Sequence, residues 1–283
     1  MGLFMKTFDV EKDFDYAKKI SSGEIGGLFS GVFYCSNENV SKIVSNFDFS
    51  NNDCLVVTGS GDQPIYAISE DAASVDIFDI SILAKYYLYL RKWFIKYNHQ
   101  FYPDRSFDFS LVSALLEKVE CNSIQEASAL SFWKSFVANK LSFDNLLSFP
   151  LAYKYNIITD IEKLNKFINF QEYDSFSFDL CCQNDESLMP QKLYDIIYVS
   201  NILEHCGMNK DKIRFASENL VKLLKSGGIV ICSQLFTDNF DLPRLEQKQI
   251  FDENFEYGDI VTDYVDADGG HHDYYIGYTY TKK

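Results

Sequence analysis

The chain has 283 residues, of which 41 are acidic and 26 basic, so its formal net charge is −15. This length allows one large α/β domain, or one domain that carries an insertion. The negative charge disfavours nucleic acid and anionic membranes as partners, because their phosphates would be repelled.

Other features of composition favour a soluble protein of the cytoplasm with no membrane insertion. The seven cysteines show no zinc-binding spacing and are expected to be reduced thiols. The acidic amino terminus does not resemble a signal peptide, and no apolar run approaches the ~20 residues that cross a bilayer. Four basic residues lie along one predicted helix, and we expect them on its solvated face: Lys85, Arg91, Lys92 and Lys96.

Residues 1–52 are predicted to form a mainly helical lead-in. Ser36 or Asn37 is expected to cap a short helix that delivers the chain to the first strand. That helix would border the ligand cleft. Tyr34 is therefore a candidate lining residue, with packing in the core as the alternative.

The run from Cys54 to Ile80 predicts a strand, a glycine turn, a short helix and a second strand that ends in a carboxylate. The apolar residues up to Val57 are typical of a strand buried on both faces of a parallel sheet. Gly59 and Gly61 would let the backbone turn sharply and lie against a ligand. Asp79 comes 20 residues after Gly59, where a carboxylate can take both hydroxyls of a ribose. An ordinary βα turn followed by an exposed Asp is the alternative.

The start of the helix after the glycine turn indicates which nucleoside cofactors would fit the site poorly. Asp62 or Gln63 is expected to cap it, and Pro64 suits its first turn. Because Pro64 replaces the third glycine of the dinucleotide pattern, the sequence disfavours NAD and FAD with their pyrophosphate.

The next segment predicts a strongly amphipathic helix over 81–97 and then a helical insertion over 98–170. Capping boxes are expected to open two of the insertion's helices, at Ser123 with Glu126 and at Thr159 with Glu162. An insertion this long between two strands would form a cap over the cleft and carry substrate selectivity.

The sheet is expected to resume with strands over 176–182, 194–199 and 229–232 and to end in an antiparallel hairpin of 257–265 and 273–281. A helix over 211–224 would be stopped by Gly227 or Gly228 in a left-handed cap. Three groups of polar residues follow strands, at the edge where open α/β sheets bind ligands: Asn184 and Asp185, Ser200 and Asn201, and Glu204 and His205.

These segments resemble class I S-adenosylmethionine-dependent methyltransferases. The motifs are TGSGDQ, IFDIS, QNDESL, YDIIYVSNILEH and LLKSGGIVI, in the family's order, over roughly residues 53–234. The resemblance implies an α/β, Rossmann-like sheet of seven strands over 53–283, mostly parallel with the antiparallel hairpin at its end.

The resemblance also implies S-adenosylmethionine as the cofactor. Asp79 would bind the ribose hydroxyls, Ile80 would lie against the adenine and Asp185 near its amino group. The methionine end would lie near the glycine turn and the end of the fourth strand. The implied contact residues are Thr58, Gly59, Ser60, Gly61, Asp62, Gln63, Asp79, Ile80, Asp185, Ser200 and Asn201. One departure is Thr58, close to the place where the family commonly has an acid.

Methyl transfer from a sulfonium needs mainly alignment of the reacting atoms, and a base only where the acceptor carries a proton. Glu204 and His205 are the candidate catalytic residues, with a helix-start acid and a packed or solvated His as the alternative. His271, His272 and Asp273 are not expected to bind a metal, because three neighbouring residues on a hairpin cannot converge on one ion.

We expect a small-molecule acceptor for the methyl group, and the oligomeric state stays open. Two alternatives remain. GSGDQP, IFDISILAKYY and the helical insertion are loosely similar to enzymes of betaine-lipid synthesis that transfer the aminocarboxypropyl arm of the same cofactor. A nucleoside-binding protein without turnover is the other.

Overall fold

The computed structural model describes residues 8–26, 30–33, 36, 38–98, 109–148, 158–170, 174–183, 188–203, 206, 209–236, 247–267 and 271–283. For 148, 234–236, 259–267 and 271–276 it describes the backbone alone. Tyr34, Asn37, Asn184, Asp185, Glu204 and His205 therefore lie outside the described residues, as do the side chains of His271, His272 and Asp273.

Helices and short strands alternate in the amino-terminal half of the described chain, and long strands dominate its end. The helices are α1 (Val10–Ser21), α2 (Val40–Val44), α3 (Asp62–Ser69), α4 (Ala84–Asn98), α5 (Phe109–Leu116), α6 (Ile124–Ala138), α7 (Phe143–Leu146), α8 (Ile161–Asn169) and α9 (Lys210–Leu223). The strands are β1 (Val32–Phe33), β2 (Asp53–Val57), β3 (Ser74–Asp79), β4 (Leu147–Ser148), β5 (Ser175–Ser177), β6 (Tyr194–Ser200), β7 (Leu224–Phe236), β8 (Phe255–Ala267) and β9 (His271–Lys282).

The main sheet has seven strands in the order β5-β3-β2-β6-β7-β9-β8. The first five strands in this order, from β5 through β3, β2 and β6 to β7, pair in parallel. Strand β9 is antiparallel to both of its neighbours, β7 and β8. This arrangement confirms the predicted fold class, a mostly parallel α/β sheet that ends in an antiparallel hairpin.

Successive side chains of the central strands point to opposite faces, so each strand contributes to two cores. On one face, Val56 and Tyr198 pack with residues of α1 to α8. On the other, Leu55 and Val199 pack with α9 and with residues near the carboxyl terminus. The helices are therefore distributed very unequally between the two faces.

Several predicted boundaries were wrong. Strand β5 ends at Ser177, because Asp179 starts a turn in which its carboxylate accepts from the amide of Cys181. Helix α9 ends at Leu223 and β7 follows at once, so Gly227, with φ 76°, lies within an irregular stretch of strand.

Three predicted helix caps were also wrong. The amino-terminal cap of α2 is Asn39, and that of α8 is Asp160 instead of Thr159. Gly61 precedes α3, with no side chain capping that helix. The Ser123 hydroxyl does accept from the amide of Glu126, so this half of the predicted box is confirmed.

Helix α4 is buried on all sides over residues 86–95, because the glycine turn and α3 pack against Arg91 and the insertion packs against Lys92. Arg91 and Lys92 are buried, which contradicts their predicted exposure. Arg91 pairs with Asp62 at 2.9 Å, and Lys92 pairs with Glu126 of α6 at 2.9 Å. Two buried acids thus replace the solvent that these cations were expected to face.

The lead-in and the insertion are joined to each other. Strand β1 of the lead-in pairs in parallel with β4 of the insertion. The Ser21 hydroxyl accepts from the amide of Ser142 at 2.7 Å, and Asn145 Nδ2 donates to the Ser21 carbonyl at 2.8 Å. None of these three contacts was predicted, because the partners lie more than a hundred residues apart. The predicted role of the insertion as a cap over the cleft stays a prediction.

Candidate functional site

The order of the strands places a crevice at the carboxyl ends of β2 and β6. From β2 the chain moves to β3 and β5 on one side, and then returns to β6 on the other side. Open α/β sheets bind ligands where the strand order reverses in this way. The glycine turn follows β2, and Ser200 ends β6, so two of the predicted segments lie at this point.

The glycine turn requires its glycines. Gly59 has φ 50° and Gly61 has φ 89°, a left-handed region that side chains rarely adopt. A Cβ on Gly61 would lie 3.0 Å from Leu88 Cδ1 and 3.3 Å from Arg91 Nη1. The turn therefore lies directly on α4, and its shape depends on that contact.

Asp79 is held at the end of β3 by two backbone amides. Gly59 N donates to Oδ2 at 2.7 Å, and Ser81 N donates to Oδ1 at 2.8 Å. Burial raises the pKa of this carboxyl group to about 6, although the amides of Ser81, Gly59 and Ile80 favour its ionised form. The carboxylate is thus mostly ionised at neutral pH and fixed to the glycine turn.

A cleft of about 430 Å³ opens beside Asp79. Strand β5 and α1 supply parts of its wall, and the structure brings Thr58, Asp79 and Ser81 together in it. No residue of the insertion that the structure describes lines the cleft. Ile80 is 46% exposed, which is unusual for an apolar residue that directly follows a buried strand.

The wall from α1 is polar and internally paired. Lys85 Nζ lies 2.9 Å from Asp13 Oδ2, and Tyr86 donates its hydroxyl to the same oxygen at 2.7 Å. Asp9, Lys12 and Asp13 all line the cleft. The lead-in thus lines the cleft through Asp9 and α1, whereas the sequence predicted that its short second helix would border the cleft and that Tyr34 could line it.

Asp62 anchors the glycine turn from beneath. Its carboxylate accepts from Arg91 at 2.9 Å, from the Ser60 hydroxyl at 2.8 Å and from the amide of Ser36 at 2.7 Å. The residue is completely buried. Its carboxylate therefore binds the protein itself, and a direct contact with the cofactor stays a prediction.

Glu38 is a buried residue beside the crevice that sequence reasoning also missed. It is 2% exposed and lies against Gln63 and Ser200, with Gln63 Nε2 and Ser200 Oγ each donating to Oε1 at 2.6 Å. The Ser233 hydroxyl donates to Oε2. Burial raises the pKa of Glu38 to about 7, and the negative charge of nearby Asp62 raises it slightly further. The hydrogen bonds that Glu38 accepts lower the pKa but do not offset the effect of burial. No local pattern indicates such a residue, because its partners lie in α3, β6 and β7.

Of the other predicted site residues, the structure describes Thr58 and Asn201. The Thr58 hydroxyl donates to the carbonyl of Phe78 at 3.2 Å, so it is directed into the sheet. Asn201 follows β6 and is partly exposed. Asp185, Glu204 and His205 lie outside the described residues.

The described residues contain neither a membrane-spanning helix nor a cluster of metal ligands. There, no helix is both long and apolar enough to cross a membrane. No group of three potential metal ligands occurs in that same part of the chain.

No protein-family model matches the chain, and no curated protein matches it. Solved structures that align with it include the N-methyltransferase NodS from Bradyrhizobium japonicum, in complex with S-adenosylhomocysteine. It has 11% identity and a TM-score of 0.40, with 86% of this chain and 83% of that chain covered.

Two further structures show similar values. A TehB-like S-adenosylmethionine-dependent methyltransferase from Corynebacterium glutamicum has 10% identity and a TM-score of 0.41, with coverage of 88% and 89%. A ribosomal protein L11 methylase from Lactobacillus delbrueckii has 15% identity and a TM-score of 0.39, with coverage of 87% and 77%. At these values the similarities carry no functional argument, which rests on the site itself.

Proposed function

We propose that the protein is an S-adenosylmethionine-dependent methyltransferase that acts on a small-molecule acceptor. The observation that carries this proposal is Asp79, an ionised carboxylate fixed between the amides of Gly59 and Ser81 on the wall of the cleft. Its place at the end of β3, the neighbour of the strand that leads into the glycine turn, suits the two hydroxyls of a ribose. Exposed Ile80 beside it suits the face of an adenine.

The charge of the site favours a cationic cofactor over a pyrophosphate. The amino terminus of a helix normally attracts phosphate. Here α3 begins with the carboxylate of Asp62, and Glu38 lies against Gln63 in the same first turn. Two acids and one guanidinium, that of Arg91, thus underlie the turn. A sulfonium fits this environment better than a phosphate does.

When bound, S-adenosylmethionine supplies an activated methyl group, so the protein has mainly to align donor and acceptor. We assign the ribose to Asp79, the adenine to Ile80 and Asp185, and the methionine end to the segments of the glycine turn and of Ser200 and Asn201. Glu204 and His205 stay the candidate bases for an acceptor that carries a proton. The small-molecule acceptor is supported by the net charge of −15, which disfavours nucleic acid.

Calorimetric titration with S-adenosylmethionine tests the proposal. Wild-type protein is expected to bind the cofactor, and Asp79→Asn to weaken binding about 100-fold, because the negative charge and one of the two acceptor oxygens are lost. Asp252→Asn is the matched control, since Asp252 is exposed and precedes β8, at the opposite edge of the sheet. Absence of binding at millimolar cofactor, or equal affinity in Asp79→Asn, would refute the proposal.

Product analysis tests the reaction type. Incubation with S-adenosylmethionine and a metabolite extract is expected to yield S-adenosylhomocysteine and a methylated small molecule. Methylthioadenosine as the product would instead indicate aminocarboxypropyl transfer. Binding without either product would indicate a nucleoside-binding protein.

A further inference from the structure

Glu38 joins segments from four parts of the chain at the strand-order reversal. It lies in the lead-in just before α2, and its carboxylate accepts from Gln63 of α3, Ser200 of β6 and Ser233 of β7. Gln63 lies in α3, which follows β2, and Ser200 ends β6, so the two side chains lie at the two strands that border the crevice. One buried carboxylate thus sets the positions of side chains on both sides of the crevice.

The orientation of the Gln63 amide follows from this contact. Its nitrogen faces Glu38, and this orientation suits the ionised form of that carboxyl group, which only accepts hydrogen bonds. The amide oxygen is then directed to Gly59, where the position of an added Cβ lies 3.4 Å from Gln63 Oε1. That oxygen is buried and has no hydrogen-bond donor among the residues that the structure describes.

Ser200 shows that the same cluster constrains the end of β6. Its φ is 55°, a left-handed conformation that is uncommon for a residue other than glycine. The hydrogen bond from Ser200 Oγ to Glu38 holds this conformation and thereby orients the chain toward Asn201. Unfavourable backbone conformations of this kind persist where the surrounding contacts determine them.

We propose that Gln63 Oε1 accepts a hydrogen bond from the ammonium group of the amino-acid arm of the cofactor, and that Glu38 is the positioning residue that orients Gln63 and Ser200 for this contact. The proposal rests on the proposed function, since it assigns one end of the same cofactor. It also supplies an acceptor for the amino group at the glycine turn, where Thr58 has no carboxylate to offer and donates its hydroxyl to the carbonyl of Phe78.

Donor count and charge both favour an ammonium at this place. An unpaired buried acceptor needs a donor, and an ammonium offers three. The surrounding carboxylates of Glu38 and Asp62 outnumber the guanidinium of Arg91, so a cation is favoured over a neutral donor. A carboxylate or phosphate in the same place would be repelled.

The test compares S-adenosylhomocysteine with its desamino analogue, which lacks only the ammonium group. Wild-type protein is expected to bind S-adenosylhomocysteine at least ~10-fold more tightly, the usual range for a hydrogen bond to a charged group. In Gln63→Met this preference is expected to disappear, while affinity for the desamino analogue stays within about 2-fold. Gln247→Met, which removes a buried amide bound to Tyr278, is the matched control and should keep the preference.

The outcomes separate this inference from the proposed function. If wild-type protein binds neither ligand, the proposed function fails and the inference with it. If wild-type protein binds both and Gln63→Met keeps the preference, only the inference is refuted. Equal weakening of both ligands in Gln63→Met would also refute it, because the residue would then be supporting the turn alone.

A pH series tests the positioning role of Glu38. The wild-type preference for S-adenosylhomocysteine should decrease several-fold between pH 8 and pH 6, as Glu38 loses its charge, and should be lower and independent of pH in Glu38→Gln. The charged and titratable groups that face Glu38 are Asp62, Tyr198 and Cys232, with Arg91 behind Asp62. The same pH dependence in wild type and Glu38→Gln would contradict the assignment.

Discussion

At the scale of one residue, Glu38 shows that a charge which suits ligand binding can reduce the stability of the folded protein. Glu38 is surrounded by donors, yet its burial still outweighs them and raises its pKa to about 7. Its charge is therefore unfavourable in the ligand-free protein, and the ammonium group that we propose binds beside it would stabilise that charge. Costs of this kind are common where a site is organised before its ligand arrives.

This raised pKa predicts how stability depends on pH. Folded Glu38 keeps a proton that the unfolded chain has already released between its ordinary pKa of 4.5 and about 7. Its contribution to stability is therefore fully present below pH 4.5 and is lost as the pH rises through about 7. Between pH 6 and pH 8, wild-type protein should lose on the order of 1 kcal/mol more unfolding free energy than Glu38→Gln.

Urea unfolding at a series of pH values measures this difference. Asp79→Asn serves as the control, because the pKa of Asp79 is raised only to about 6 and most of its effect falls below this range. That variant should keep most of the wild-type slope above pH 6. Parallel curves for wild type and Glu38→Gln would show that the carboxylate is not buried as described.

At the scale of an element, α4 is the helix on which the site and the insertion both depend. Its buried Arg91 contacts the glycine turn through the carbonyl of Ser60 at 2.7 Å and through Asp62. The neighbouring Lys92 bonds to Glu126 of α6 and, at 2.8 Å, to the carbonyl of Phe170. Adjacent cations of one helix thus hold the glycine turn and the insertion.

Loss of Lys92 should be strongly destabilising. Lys92→Met leaves the carboxylate of Glu126 without its cation, and removing one partner of a buried pair costs about 3–5 kcal/mol. Lys134→Met is the matched control, because Lys134 and Glu117 form an exposed pair at 4.0 Å that is worth less than about 1 kcal/mol. Thermal and urea unfolding of both variants measure the contrast.

The double variant Lys92→Met/Glu126→Gln distinguishes loss of charge balance from loss of packing. Removing the unpaired charge should restore part of the stability that Lys92→Met loses. No recovery would mean that the contact of Lys92 with Phe170 or its packed stem dominates.

The parts of the molecule that sequence analysis predicted are those with local signals. Apolar runs indicated β2, β3 and β6, and the spacing from Gly59 identified Asp79, since both patterns are complete within a few tens of residues. Burial of Lys92 was not predictable in this way, because its partner is 34 residues away and belongs to a separate helix. Glu38 lacked a signal for the same reason.

The continuous core predicts that the whole chain unfolds as one unit, although it carries an insertion. One buried cluster runs from Ala17 of α1 through Phe132 of α6 to Val56 of the sheet. Strand β1 also pairs with β4 across the same layer. An insertion held in this way cannot expose its apolar surface without exposing that of α1 and α4.

The two tryptophans provide the measurement, since Trp133 lies in the insertion and Trp93 on α4. In Trp93→Phe and in Trp133→Phe, urea midpoints from fluorescence and from far-UV circular dichroism should coincide within each variant. Labelling of the Cys232 thiol, buried on the opposite face of the sheet, should begin at the same urea concentration. An earlier transition of Trp133 alone would instead mark the insertion as a separate domain, because its unfolding would then leave the sheet and Cys232 protected.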